Sequence, residues 1–155
     1  MLNSAYSLWK NSSPRVADVS GILWTLSLQP LPPTVIAKAK AQGGNSLGLD
    51  PSEGALVLCL LSASWSEASD DDIVEGAGKK LFDDIKQAAV SRGLFNKFEY
   101  LNYAASFQDP IAGFGPEIKK RLQAVSQKYD PTGFFQTTVP GGFKLFEENK
   151  EESIQ

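Results

Sequence analysis

The chain has 155 residues, 42% of them hydrophobic, and a formal net charge of −3 at pH 7. That length is enough for one domain with its own core, and the slightly acidic balance gives no reason to expect a nucleic acid or an anionic membrane as partner. No stretch approaches the roughly 18 apolar residues of a membrane span, and the beginning of the chain lacks the pattern of a secretory signal. We expect a cytoplasmic protein with a single domain over 1–146 and a charged, flexible tail over 147–155.

The first half of the chain predicts two helices and two strands. Residues 2–9 place apolar side chains at helical spacing, and residues 34–42 form a short helical run that stops at a Gly-Gly pair. Residues 20–31 alternate apolar and polar side chains, which is the pattern of a strand with one buried face. Residues 55–65 begin apolar on both faces, which is typical of a strand near the centre of a sheet.

The second half predicts a long helix, a third strand and a closing helix. Ser69 is expected to cap a helix that runs to about Arg92 and buries a face containing Ile73. Phe98–Tyr103 is short and rich in aromatic residues, which favours a strand inside the sheet. The last helix begins at Pro116, where a missing N–H costs nothing, and ends at a Pro-Gly turn. Its expected apolar face comprises Ile118, Leu122, Val125 and Tyr129.

This order of elements predicts an α+β fold, with an antiparallel or mixed sheet and helices packed on one face. The other face of the sheet is then left open. Large aromatic side chains on an open face do not remain in water without a partner. We therefore predict a homodimer through the exposed sheet face, or a bound hydrophobic small molecule, with an open face that draws on Trp24, Trp65, Tyr100 or Tyr103.

Four short strings in the last third of the chain occur in a recognisable order. They are Leu101-Asn102-Tyr103-Ala104, Gln108-Asp109-Pro110, Lys128-Tyr129-Asp130-Pro131-Thr132-Gly133-Phe134-Phe135-Gln136 and Pro140-Gly141-Gly142-Phe143-Lys144. Together they resemble the C-terminal end of fungal berberine-bridge-enzyme-like FAD-linked oxidases. The likeness extends upstream through the Leu-Gln-Pro-Leu-Pro string at 28–32 and through Trp65.

The resemblance implies the substrate domain of such an oxidase, an antiparallel sheet backed by helices with its open face towards the flavin. In the family, the flavin is held by an N-terminal half that this chain lacks. The sequence contains no histidine and one cysteine, Cys59, in the middle of an apolar strand. Neither Gly-Gly pair is followed by the Lys-Ser/Thr pair of a phosphate loop. We therefore predict no bound cofactor, and the acidic run Asp70–Asp72 is read as a helix start, so no metal is predicted.

Seven residues are candidates for a site. The resemblance places the Tyr-x-Asn-Tyr string near flavin and substrate, so Tyr100 and Asn102, with Gln29, are the candidate catalytic hydrogen-bonding groups. Each also has a plainer interpretation: an alternating strand buries its side chains for packing, loop-end amides close turns, and large aromatics are more often core than ligand wall. For Tyr103, core packing is the favoured interpretation. The candidate substrate-binding residues are Trp24, Trp65, Phe107 and Gln108.

Three functions fit this inventory. The first is a cofactor-free enzyme for a pericyclic cyclisation of the Diels–Alder or hetero-Diels–Alder type, for example between a quinone methide and a terpene alkene. Such a step needs orientation and a hydrogen bond to a carbonyl, and it transfers no electrons. The second is a truncated or split FAD-linked oxidoreductase that works with a flavin-binding partner. The third is a non-catalytic carrier of a hydrophobic metabolite.

Overall fold

The computed structural model describes residues 1–146, apart from the side chains of Lys40 and Ala41. Over these residues the fold is α+β, as predicted, with one two-stranded antiparallel sheet and six α-helices. The predicted tail over 147–155 lies outside the described residues. Four short 3₁₀ segments connect the elements, at Ser13–Arg15, Pro51–Glu53, Ala68–Asp70 and Leu101–Tyr103. The α-helices and strands are α1 (Leu2–Ser12), β1 (Leu23–Leu31), α2 (Pro33–Ala41), β2 (Leu56–Ser64), α3 (Asp71–Val90), α4 (Pro110–Gly113), α5 (Pro116–Tyr129) and α6 (Phe134–Thr137).

The described residues group into two compact units that interleave along the chain. The first unit comprises Met1–Pro33 and Ser52–Asn96, and the second comprises Thr34–Pro51 together with the residues from Lys97 onward. Each unit is therefore assembled from two separate stretches of sequence.

The sheet of the first unit has the side-chain alternation that the sequence predicts. In β1, Trp24, Leu26 and Leu28 are half-buried, and the residues between them are exposed. The antiparallel register sets Trp24 opposite Ala63 and Leu28 opposite Cys59. Because facing residues of paired strands share a face, these side chains form one apolar surface.

Helix α3 packs on that apolar surface, and Gly78 is the residue at the point of close approach. A Cβ at Gly78 would lie 3.4 Å from Leu61 Cδ2 and 3.8 Å from Trp24 Cη2, so the helix backbone approaches the sheet closely. Below it, Val16, Val19, Val74 and Ala77 form a buried cluster, against which Trp24 and Trp65 pack. The helices thus cover the face that contains Trp24, and the prediction that Trp24 lies on the open face is wrong.

Two details of α3 differ from the sequence prediction. The buried face contains Val74, and Ile73 is exposed, because the helix begins at Asp71 in a phase that turns Ile73 outward. The N-cap residue is Asp70 rather than Ser69, and it makes no side-chain capping hydrogen bond. Ser69 belongs to the 3₁₀ segment before the helix.

Hydrogen bonds from one helix hold the second unit together. Arg121 on α5 donates through Nη2 to the carbonyl of Asn45 at 3.1 Å and to the hydroxyl of Ser46 at 2.7 Å. Gln123 donates to the carbonyl of Leu145 at 2.8 Å. The bonds of Arg121 join the two sequence stretches of this unit, and the bond of Gln123 holds Leu145 against α5.

The third predicted strand is absent from the second unit as the structure describes it. Residues 94–100 have no regular secondary structure, and Leu101–Tyr103 forms a 3₁₀ turn in which the N–H of Tyr103 donates to the carbonyl of Tyr100 at 2.8 Å. The predicted start and end of α5 are confirmed. However, Val125 and Tyr129 are exposed, so the second half of its expected apolar face is not buried.

Candidate functional site

The 3₁₀ turn after residue 100 brings together three polar aromatic and amide side chains of the second unit. Asn102 donates through Nδ2 to the Tyr100 hydroxyl oxygen at 3.1 Å. The rings of Tyr100 and Tyr103 meet edge to face with their centroids 4.7 Å apart. Because the Tyr100 oxygen accepts from Asn102, its own proton is available to donate to another oxygen. The Tyr100 hydroxyl is therefore a neutral hydrogen-bond donor that Asn102 holds in position.

Tyr103 is a member of this cluster that the sequence pattern undervalues. Core packing is the expected role, yet 42% of its surface is exposed, so that expectation is wrong. The period of two that assigned it to the core applies to strands, and the 3₁₀ turn rotates successive side chains differently. The repeated tyrosines around an asparagine were the available signal.

The segment before Tyr100 is held in place by a close backbone contact. A Cβ at Gly113 would lie 2.6 Å from the carbonyl oxygen of Lys97 and 3.4 Å from the nitrogen of Glu99. Next to it, the ring of Phe98 stacks over that of Phe114 at 6.2 Å. A glycine at the end of α4 therefore permits the chain to pass close by and sets the position from which Tyr100 projects.

Glu99 is a further residue of this region that the sequence pattern does not single out. Its Oε2 atom is buried without a hydrogen-bond partner. An unsatisfied buried oxygen costs stability, so this carboxylate is a feature that packing alone does not explain. Its burial depends on the non-strand path of the chain, which the sequence pattern did not reveal.

Phe107 and Gln108 lie on the loop that follows the tyrosine cluster. The side-chain oxygen of Gln108 accepts from the backbone N–H of Ala105 at 3.0 Å, and the backbone N–H of Gln108 donates to the Ala105 carbonyl at 3.0 Å. The amide oxygen thus closes its own loop. Phe107 is exposed on the same loop, which leaves its ring available to an apolar ligand.

The two candidate tryptophans belong to the first unit, and their polar atoms bind within it. Trp24 donates through Nε1 to the Ser12 hydroxyl at 3.0 Å, and Trp65 donates through Nε1 to an Asp71 carboxylate oxygen at 2.7 Å. Both rings pack against the buried cluster of that unit. Gln29 pairs with Leu58 on the exposed face of the sheet, opposite to the face of Trp24. Trp24 and Gln29 therefore do not share a wall.

Cys59 lies on the helix-covered face of β2. Burial raises the pKa of its thiol to about 11. A thiol with so high a pKa is almost entirely protonated at neutral pH and is a poor nucleophile. The chemistry of the site therefore excludes Cys59 as an activated group.

A surface groove of about 420 Å³ runs along the last turns of α3. Its described lining contains none of the seven candidate side chains and consists of Asp83, Lys86, Gln87, Val90 and Ser91. Among residues 1–146, no three His, Cys, Asp or Glu side chains converge as a metal site requires. None of the helices that the structure describes is long and apolar enough to cross a bilayer.

Comparison with known proteins finds several fungal relatives. FAD-dependent monooxygenase drtC from Aspergillus calidoustus is 39% identical over 131 residues, which are 83% of this chain and 25% of that protein. The chain is homologous to part of fungal FAD-dependent monooxygenases. Bifunctional solanapyrone synthase from Alternaria solani is 34% identical over 132 residues, 85% of this chain and 25% of that protein. Oligopeptidase PhomG' from Diaporthe leptostromiformis is 40% identical over 147 residues, 94% of this chain and 12% of that protein.

The chain therefore spans between 12% and 25% of the length of these three curated relatives. No protein-family model matches it, and no solved structure matches it. The shared part is a segment of a larger protein in each relative.

The FAD named for the monooxygenase relatives sets a chemical requirement for any site that would bind it. A pyrophosphate needs free backbone N–H groups at a helix start, or cationic side chains. The longest helix, α3, instead starts with acidic residues, and α5 starts with Pro116, which has no N–H, followed by Glu117. A covalent attachment would need a histidine, which the sequence lacks, or a reactive thiol, which Cys59 is not. Neither of these two helix starts suits a pyrophosphate and no covalent attachment point is present, so no reaction step through FAD is derived for this chain.

Proposed function

We propose that this chain supplies the substrate-side part of an FAD-dependent oxidoreductase that acts in the biosynthesis of a fungal natural product. The observation that carries the proposal is the homology, which runs over most of this chain but over a small share of each relative. The name of one relative, a solanapyrone synthase, supports a biosynthetic role.

Within that function, Tyr100 has the most specific part. Its hydroxyl oxygen accepts from Asn102, and the hydroxyl keeps its own proton to donate. A neutral donor of this kind binds a ketone or quinone oxygen of an apolar substrate and stabilises negative charge that develops there. Phe107 offers an exposed apolar ring on the following loop, and hydrophobic natural products bind to such surfaces. The substrate class is thus an apolar molecule with a conjugated carbonyl.

The test is to purify the tagged protein from a fungal host and to record its absorbance between about 300 and 500 nm, where an oxidised flavin absorbs. We expect flavin bands in a complex that contains this chain together with a flavin-binding polypeptide. The same chain expressed alone in a bacterium is expected to be colourless. A colourless preparation from the fungal host that still converts substrate would contradict the proposal.

A second candidate function is a cofactor-free pericyclic cyclisation, and the Tyr100–Asn102 pair favours it. In a hetero-Diels–Alder step, a quinone methide and an alkene form one C–C and one C–O bond, three π bonds become one, and neither electrons nor protons leave the pair. Orientation of the partners and one hydrogen bond to the carbonyl are sufficient for rate acceleration. A homodimer through the exposed sheet face of the first unit is a separate proposal.

The two candidates predict different results in the absence of oxygen and flavin. Colourless protein that cyclises a quinone methide and an alkene under argon, with loss of rate in Tyr100→Phe, would establish the second. Binding of the substrate without turnover, in both colourless and flavin-containing preparations, would instead identify a carrier and remove both enzyme functions.

A further inference from the structure

The second unit exposes three aromatic side chains within seven residues, which we call the aromatic face. They are Tyr129 at the end of α5 and Phe134 and Phe135 on α6, exposed to 75%, 51% and 64%. The two phenyl rings meet edge to face at 5.5 Å. Single exposed apolar residues are ordinary, but a group of large ones marks a surface that another molecule covers.

The backbone beneath these rings is held by a dense set of hydrogen bonds. The two carboxylate oxygens of Asp130 accept from the N–H groups of Phe134 and Phe135, each at 2.9 Å. Lys144 donates to the carbonyls of Phe135 at 3.2 Å and Val139 at 2.6 Å. Gly133, with φ of 69°, allows the turn that makes this arrangement possible. The rings are therefore displayed from a fixed frame, which lowers the entropic cost of binding.

Two of the described lysines contact the residues of the aromatic face. The Lys128 ammonium lies 5.1 Å from the centre of the Tyr129 ring, and Lys144 lies beneath the phenylalanines. The nearest acid in sequence is Asp130, and both of its carboxylate oxygens accept hydrogen bonds from backbone N–H groups. A partner that fits has an apolar pocket for the rings and carboxylates at its rim.

We propose that the aromatic face docks the flavin-binding polypeptide, a partner related to the part of the relatives that this chain does not span. This inference rests on the proposed function. The starts of α3 and α5 do not suit a pyrophosphate, so we assign the cofactor to a second surface. In the relatives, most of the length lies outside the homologous segment.

The test is a chimera in which this chain replaces the homologous segment of the FAD-dependent monooxygenase drtC. The variant is Phe134→Ser with Phe135→Ser. The matched control is Val90→Ser with Leu94→Ser, because those two side chains are also apolar and more than half exposed but belong to the first unit. Bound flavin is measured as the ratio of visible to ultraviolet absorbance after gel filtration.

We expect the parent chimera and the control to retain flavin. The Phe134/Phe135 variant should retain about tenfold less bound flavin, since two central aromatic anchors are removed. In the chain alone, both double variants are expected to keep the melting temperature of the parent. Equal flavin retention in the variant and the control overturns the proposal.

Two further measurements keep the result unambiguous. Sedimentation of the chain alone is expected to show a monomer. A dimer that dissociates in the Phe134/Phe135 variant would assign the face to a second copy and overturn the docking. If the chimera is insoluble, the tagged chain is co-expressed with the drtC remainder: co-purified flavin that depends on Phe134 and Phe135 supports the proposal, and its absence overturns it.

The proposed function and the docking fail separately. A chimera that retains flavin through the aromatic face, but whose turnover does not change in Tyr100→Phe, contradicts the role given to Tyr100 and leaves the docking intact. A chimera that turns over substrate without dependence on Phe134 and Phe135 contradicts the docking and leaves the proposed function intact.

Discussion

The indoles of the first unit and the phenols of the second unit are chemically similar, since each is a large ring with one polar atom. The structure uses them differently. Trp24 and Trp65 pack against a buried cluster and donate to Ser12 and Asp71. The rings of Tyr100 and Tyr103 instead lie around a surface turn, where the Tyr100 hydroxyl accepts from Asn102.

The partner of the polar atom is what separates the two groups. A donor N–H that is already bonded inside its own unit has no capacity left for a ligand, because an indole donates only once. A hydroxyl that accepts one bond still has a proton to give. Measurements of stability test this division, from the largest expected effect to the smallest.

The largest loss of stability is expected from Trp24→Ala. The substitution removes an aromatic ring from the apolar surface beneath α3, and such truncations cost about 3–5 kcal/mol in a core. The free energy of unfolding in urea is the measurement. Leu23→Ala is the matched control, because the side chain of Leu23, next to Trp24 in sequence, lies on the exposed face. The free energy of unfolding should change little in this control. Unchanged stability with lost ligand binding would return Trp24 to the candidate site.

Gly113→Ala is expected to cost about 1–3 kcal/mol, as overpacking does, because its Cβ would meet the Lys97 carbonyl at 2.6 Å. The expected strain falls on the segment that leads to Tyr100, so the tyrosine near-ultraviolet circular dichroism should change too. Gly76→Ala provides the comparison. A Cβ there meets nothing within 4 Å, and alanine in a helix interior should stabilise by about 0.5–1 kcal/mol. Equal effects at both glycines would refute the close contact.

Asp130→Ala is expected to cost about 1–2 kcal/mol, the value of a lost helix cap, because two backbone N–H groups lose their acceptor. Asp109→Ala should cost less, since that carboxylate accepts only one such bond in the described structure, from Ala112 at 3.0 Å. Urea denaturation of both variants ranks the two caps. A larger loss at Asp109 would show that Asp130 does not hold the frame of the aromatic face.

The smallest effect on stability is expected from Tyr100→Phe, within about 0.5 kcal/mol. The hydroxyl is near the surface and bonds one exposed amide, so its removal leaves no buried group unsatisfied. Turnover should nevertheless fall by about 10²–10³, the usual effect of one lost transition-state donor. Tyr6→Phe, on the exposed side of α1, is the control for both measurements. A large loss of stability without a rate effect would make Tyr100 a packing residue.

Sequence patterns predicted those parts of the fold that depend on nearby residues. The alternation in β1 and the bounds of α5 are confirmed, because each depends on short-range spacing or on a single proline. In α3 the predicted burial of Ala77 and Leu81 is confirmed, but that of Ile73 is wrong, because Ile73 and Val74 are adjacent and equally apolar. Periodicity could not choose between them. The four-residue helix α4 was missed, although Asp109 followed by Pro110 is the signature of a helix start.

The path of Phe98–Tyr103 could not be predicted from its composition. A strand exists only where a neighbour supplies hydrogen bonds, and β1 and β2 pair with one another in the described sheet. The candidate residues Tyr100 and Asn102 were chosen from the string, but the hydrogen bond between them follows from the 3₁₀ turn. Glu99 gave no signal, since it lies in a segment that was predicted as a strand and has no regular secondary structure.

The interleaving of the two units has a consequence for how the protein is made. Residues Thr34–Pro51 leave the ribosome before all of Ser52–Asn96, and synthesis at about 5–20 residues per second makes them wait seconds for the rest of their unit. During that interval Asn45 and Ser46 lack Arg121, to which they bond in the finished structure. The first unit can close while the second is still incomplete. A slow codon placed shortly after Asn96 would lengthen this exposed period.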